Sequence, residues 1–400
     1  MPDLRILIVD DSVAVRRALT DAIDGEPGLG VCGAAPNGVL ALELIERTPP
    51  DLVVLDLEMP VMDGLEFLTH LRPTHPRLPV LVFSGTAGHA NEATLEAMWR
   101  GASDYVLKPR GLLPSQLGPF LRTELFPRVR ALAGERRTAS EPRGAGTAGG
   151  AQPASHPPAT STHVAATPAS SETPLAFPVS RAASGRDPAP SVVLIGASTG
   201  GPRALAAVLG ALTTEFPLPI VVVQHMPAEM TEFFATGLSF NCPLPVRMPE
   251  QGELVTPGTV WVAPGGSHLT IGGGTAPGAG SLARARFLLD RGPEENGCRP
   301  AVDPLLRTAA QVYGPGVLAV VLTGMGHDGL NGARAVHAAH GRVLVQDEAT
   351  SVVWGMPGAI ARAGLAHAML PLQEIGSDLL ARARRGTRGP HGSPPRAEAA

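Results

Sequence analysis

The chain has 400 residues, a formal net charge of −4 and 17% charged residues, enough for two or three domains with their own cores. That charge balance gives no reason to expect a nucleic acid or an anionic membrane as partner. No apolar run approaches the roughly 20 residues that cross a bilayer, the first residues carry acids and no signal-peptide cleavage site, and three scattered cysteines form no CxxC pair, so a cytoplasmic protein without membrane insertion is expected.

From residue 4 to about 132, short apolar runs alternate with helical patterns. The runs fall at residues 4–9, 52–55, 80–83 and 105–107, with a weaker one near 30–34. Continuous apolar runs of this length predict parallel strands covered on both faces. Between them Val15, Leu19, Ala22 and Ile23 share a helical face, as do Leu40, Leu44 and Ile45. Five such units predict a doubly wound, flavodoxin-like α/β domain. Residues 133–190 turn to Ala, Pro, Gly, Ser and Thr with no periodicity, which predicts a disordered linker.

The alternation resumes over 191–382. Strands are expected at 192–195, 220–223, 317–322 and 343–345, with a helix through Leu205, Val208, Leu209 and Leu212. Turn pairs and a Gly run between 246 and 289 predict antiparallel ribbons there. The second domain is therefore expected to be a Rossmann-like, three-layer α/β unit with an antiparallel extension. Residues 383–400 read as a disordered tail.

Asp10 and Asp11 end the first predicted strand, Asp56 the third, Ser84 the fourth and Lys108 the fifth. Functional groups of open α/β sheets gather at such ends. Clustered acids supply the hard oxygens that Mg²⁺ prefers, and an ammonium and a hydroxyl can hold phosphoryl oxygens. Any one of these aspartates could equally be a helix cap. Lys108 is the only lysine among 32 basic residues, however, so a compact point charge is used where Arg would not serve. At these residues, with Asp56-Leu57-Glu58-Met59-Pro60 and Lys108-Pro109, the first domain resembles two-component receiver domains. The resemblance implies phosphorylation of Asp56 by a histidine kinase. It also implies Mg²⁺ held by Asp11, Asp56 and the Glu58 carbonyl with Asp10 nearby through water. Ser84 would be the switch hydroxyl and Tyr105 the late aromatic of such domains.

After the strand at 192–195 comes Gly196-Ala197-Ser198-Thr199-Gly200-Gly201. Small residues there suit a sharp strand-to-helix turn that exposes the Ser198 hydroxyl near free helix amides. The loop alone also fits a phosphate cradle or an ordinary turn, although it lacks GxGxxG spacing. His225 follows the next apolar run, and Asp328 lies in Thr323-Gly324-Met325-Gly326-His327-Asp328-Gly329. A serine needs a base, and the base needs a carboxylate to fix its tautomer. The order Ser, His, Asp is not that of the α/β-hydrolases, which place His last, and counts against that common fold.

The segments GASTGG, QHMP, PAVDP at 300–304, LTGMGHDG, Gln346 to Thr350 and Gly355-Met356-Pro357 resemble the chemotaxis methylesterase family. The resemblance implies Ser198 as nucleophile, His225 as base and Asp328 as its partner. Thr199 and the Met325 amide become oxyanion candidates, and no cofactor is expected in this domain. It further implies hydrolysis of glutamate γ-methyl esters on methyl-accepting chemoreceptors, with glutamine deamidation as a related activity. By the same resemblance the unphosphorylated receiver covers the active site. A linker of that length reaches roughly 40 Å and cannot orient the domains, so inhibition needs a direct interface. His327 and Ala301 depart from residues frequent in the family, and the linker is long for it. A transcriptional regulator would need a basic recognition helix that the sequence does not offer. An adaptor would not need all three Ser, His and Asp residues. A general small-molecule esterase is the alternative reading of substrate.

Overall fold

The computed structural model of the chain describes residues 4–85, 88–109, 114–140, 189–273 and 285–387. The first unit holds strands β1 (Leu4–Val9), β2 (Leu29–Ala35), β3 (Leu52–Leu55), β4 (Val80–Ser84) and β5 (Asp104–Leu107). They form one parallel sheet in the order β2-β1-β3-β4-β5, the flavodoxin-like order. Helices α1 (Val13–Asp24), α2 (Gly38–Arg47), α3 (Gly64–Thr74), α4 (Gly88–Trp99) and α5 (Pro114–Phe120) cover both faces. Ser12, Asn37 and Asp63 cap α1, α2 and α3 by accepting from the amides of Val15, Leu40 and Glu66. Alternate strand residues feed two cores: Ile6, Ile8, Leu52 and Val54 on one face, Leu7, Val9, Val53 and Leu55 on the other. A π-helical turn, Leu121–Leu125, leads into α6 (Phe126–Ser140).

The second unit contains β6 (Val192–Ala197), α7 (Gly201–Gly210), β7 (Ile220–Gln224), α8 (Ala228–Asn241), β8 (Val246–Arg247), β9 (Val260–Val262), β10 (His268–Gly273) and β11 (Ala285–Asp290). It continues with α9 (Val302–Tyr313), β12 (Val317–Val321), α10 (Leu330–Ala338), β13 (Arg342–Gln346), α11 (Met356–Arg362), β14 (Ala368–Leu370) and α12 (Leu372–Thr387). Seven strands make a parallel sheet in the order β14-β13-β12-β6-β7-β9-β8. Its faces are again covered, with Val193, Ile195 and Val222 in one core and Val192, Leu194, Val221 and Val223 in the other.

Three expectations change. Of the segment read as antiparallel ribbons, β10 and β11 pair that way, with a bridge from Leu254 to Arg286 beside them; β8 and β9 join the main sheet in parallel. The run Val260–Val262 is wholly buried, so its burial and not the flanking turn pairs decides its place. Helix α6 continues to Ser140, past the expected linker start, and α12 reaches Thr387, past the expected start of the tail. Most of the expected linker (141–188) and of the tail (388–400) lies outside the described residues. Among the described residues no helix is long and apolar enough to cross a membrane.

Candidate active site and phospho-acceptor site

Strands β12, β6 and β7 are neighbours, and their carboxyl ends bring Asp328, Ser198 and His225 to one sheet edge. The turn after β6 is held by Gly201 N donating to Ser198 O at 2.7 Å. Gly200 at its tip has φ 76°, and a Cβ there would stand 2.6 Å from Val352, so only glycine fits. Gly324 packs so close that a Cβ would stand 2.8 Å from Ser198 Cβ.

His225 Nε2 lies 2.7 Å from Asp328 Oδ2. Asp328 also accepts from the amides of Val302 (2.6 Å), Asp303 (3.1 Å) and Gly329 (2.9 Å) and from Asn296 Nδ2 (2.8 Å). Val302 and Asp303 open α9, whose cap position is Ala301 and has no side chain to accept from them. Asp328 therefore caps a helix, though not its own, and the positive end of α9 helps hold it ionised. Burial opposes its charge, but the His225 bond and those amides outweigh it and hold the carboxyl below its ordinary range. Burial likewise works against a charged His225, yet Asp328 and Cys298 push its pKa up to about 9.

Ser198 reaches the same edge, but no hydrogen bond joins its hydroxyl to the imidazole among the described residues; Nδ1 instead faces Cys298 Sγ at 3.4 Å. Cys298 and Asn296 gave no signal in the sequence, because a single thiol and a single amide in a loop match no motif spacing. The quoted segment from Gln346 proves structural. Gln346 is fully buried, accepts from Thr323 N at 2.8 Å and donates to Thr350 O. Met356 N donates to Gly324 O. Together they pin the loop that carries Met325, His327 and Asp328, of which Met325 and His327 are exposed.

In the first unit the carboxylates of Asp10, Asp11 and Asp56 lie within 4.8 Å of one another. Lys108 Nζ is 2.9 Å from Asp10 and 2.7 Å from Asp56. Burial raises the Asp56 pKa, with Asp10 adding to it against Lys108. Ser84, 1% exposed at the end of β4, has no partner for its hydroxyl among the described residues. Glu58 lines the groove beside Asp11. Tyr105 lies on β5, half-buried, and its phenol is pushed upward by burial.

Residues 193–379 match the CheB methylesterase family and residues 6–113 the response regulator receiver domain. A protein-glutamate methylesterase/protein-glutamine glutaminase of Nocardioides sp. is 42% identical over 96% of this chain and 97% of its own length. One from Trichodesmium erythraeum is 38% identical over 96% and 99%. The chain belongs to the CheB methylesterase family. It is a hydrolase joined to a response-regulator receiver domain. The crystal structure of the Thermotoga maritima CheB methylesterase catalytic domain is 41% identical, covering 48% of this chain and 98% of that one at a TM-score of 0.46.

In this methylesterase the receiver rests directly on the catalytic domain. Trp99 at the end of α4 stacks on Phe234 of α8 with centroids 5.9 Å apart. Leu95 is buried in the catalytic core, and Tyr105 and Leu107 pack against it. From the other side Val353 joins the receiver core. Thr199, the residue after Ser198, donates its hydroxyl to Asp104 Oδ2 at 2.6 Å. The Thr199 side chain, an oxyanion candidate in the sequence, is thus committed to the receiver. Arg128 stands 3.6 Å from the same Asp104 carboxylate.

Proposed function

We propose that the chain is a phosphorylation-activated protein-glutamate methylesterase, and a protein-glutamine glutaminase, acting on methyl-accepting chemoreceptors in the cytoplasm. The observation that carries the chemistry is the 2.7 Å contact of His225 with Asp328 at the edge that also presents Ser198. Ser198 attacks the γ-carbonyl of the esterified glutamate. His225, with Nε2–H held by Asp328, takes the serine proton at Nδ1 and returns it to the departing methanol. The Thr199 and Met325 amides would donate to the developing oxyanion. Water then releases the glutamate. A simple aryl ester assayed beside a methyl-esterified receptor peptide separates this reading from a general esterase.

In the receiver, Asp11, Asp56 and the Glu58 carbonyl would hold Mg²⁺, with Asp10 nearby through water. The all-oxygen donor set and the clustered charge suit that cation. Such a cation would supply charge neutralisation for phosphoryl oxygens when a histidine kinase phosphorylates Asp56. The Ser84 hydroxyl, without a partner among the described residues, and Lys108 would take the new oxygens. The domain boundaries we assign are 1–132 for the receiver and 191–382 for the methylesterase, α6 and α12 extending past each.

The raised imidazole pKa sets the pH dependence. An unperturbed imidazole would place the inflection at about 6.5; Asp328 and Cys298 displace it upward. With a pKa of about 9, only about 1% of the imidazole is free base at pH 7. Activity of the unphosphorylated chain should therefore climb with pH through neutrality toward 9. A profile of kcat/KM that is flat from pH 5 to 8, with binding unchanged, would exclude His225 as base.

A further inference from the structure

His225 has two ring nitrogens, and neither is bonded to Ser198. Nε2 is bound to Asp328, while Nδ1 lies 3.4 Å from Cys298 Sγ. Cys298 closes a tight turn in which Glu295 and Cys298 exchange backbone hydrogen bonds of 3.2 and 3.0 Å. The turn is fastened to α9 by Arg307, whose Nη2 is 2.8 Å from Glu295 Oε2. Its Asn296 donates to both Asp328 (2.8 Å) and Asp303 (3.0 Å). One rigid turn thus grips the carboxylate through Asn296 and the imidazole through Cys298. The thiol is part of a chain of thiol, imidazole and carboxylate, the order of groups that activates a sulfur nucleophile.

We propose that Cys298 is a second nucleophile of this site, served by the His225–Asp328 pair and open to covalent capture by small soft electrophiles such as alkyl halides. In that step a sulfur–carbon bond forms, the carbon–halogen bond breaks, and halide leaves with the bonding electrons. The thiol proton passes through the imidazole to water. The selective capture rests on the geometry of the pair alone, whereas its effect on ester hydrolysis rests on the proposed role of Ser198. An adduct on Sγ stands on the Nδ1 side of the imidazole, the side a serine proton must reach, so capture stops ester hydrolysis. Cys32 and Cys242 serve as internal comparison. Both are half-buried like Cys298, burial pushes their thiols up, and among the described residues neither has an imidazole partner.

The test is limited labelling of the full chain with iodoacetamide, read at each cysteine by peptide mass spectrometry. Cys298 should be alkylated at least about tenfold faster than Cys32 and Cys242, and methylesterase activity should fall in step with its adduct. His225→Gln and Asp328→Asn should each remove that lead, with Cys32 and Cys242 labelled at the original rates as a check on folding. Cys298→Ala should retain through the treatment whatever activity it has at the start. Equal labelling of the three cysteines, a lead that survives both variants, or full activity with Cys298 completely alkylated would each overturn the proposal.

Discussion

Replacing Ser198 with Ala should lower methyl-ester turnover by about four orders of magnitude while leaving thermal stability nearly unchanged. Loss of one member of such a triad typically costs on the order of 10⁴ in turnover, with residual catalysis from the oxyanion donors and binding. Stability should hold because the turn is fixed by backbone contacts. Ser198 N donates to Thr323 O, its carbonyl accepts from Gly201 N and Gln224 Nε2, and none of these involves the hydroxyl. The variant is checked by methanol release and by thermal melting side by side. Unchanged turnover would remove Ser198 from the mechanism. The proximity of Cys298 to the base adds a distinction, since residual activity in Ser198→Ala that iodoacetamide abolishes would belong to the thiol.

Freeing the catalytic domain from the receiver should raise the basal rate. The Asp104–Thr199 bond locks a residue adjacent to the nucleophile, and a hydrogen bond to a charged group contributes about 1.5–3 kcal/mol. Asp104→Ala in the full chain should therefore raise unphosphorylated activity by about tenfold. Residues 191–400 alone should show at least as large a rise, because the Trp99–Phe234 stack is lost as well. Asp56→Asn should stay at the low basal rate and ignore phospho-donor. Asp104 and Tyr105 sit on β5, one strand from Ser84, so a charge gained at Asp56 acts on the strand that holds Thr199. Equal rates for full chain and fragment, without phospho-donor and at matched concentration, would mean that the receiver does not inhibit.

The sequence carried the two parallel sheets because wholly buried strands must be apolar nearly throughout, as Val192–Ala197 and the first four residues of Ile220–Gln224 are. Ser198, His225 and Asp328 were legible because each directly follows such a run, or a glycine loop after one. The strand order then only had to make β12, β6 and β7 neighbours. Strands β8, β9 and β14 were not legible, since two or three residues cannot express a period. The partners of the imidazole were hidden for another reason. Asn296 and Cys298 act through a turn that packs back on the site from more than 70 residues beyond His225, and nothing local marks that return. Asp328 precedes α10 in the chain yet accepts from the first amides of α9, an arrangement that only the packing of α9 against α10 supplies.

The most direct test of the central claim is methanol release from methylated chemoreceptor by the full chain, measured with and without a small-molecule phospho-donor and Mg²⁺. Release that is slow at rest, rises on addition of phospho-donor, and falls by about four orders of magnitude in Ser198→Ala in both conditions is the predicted result. Release that is absent in both conditions, or that does not change with phospho-donor, would contradict a phosphorylation-activated methylesterase.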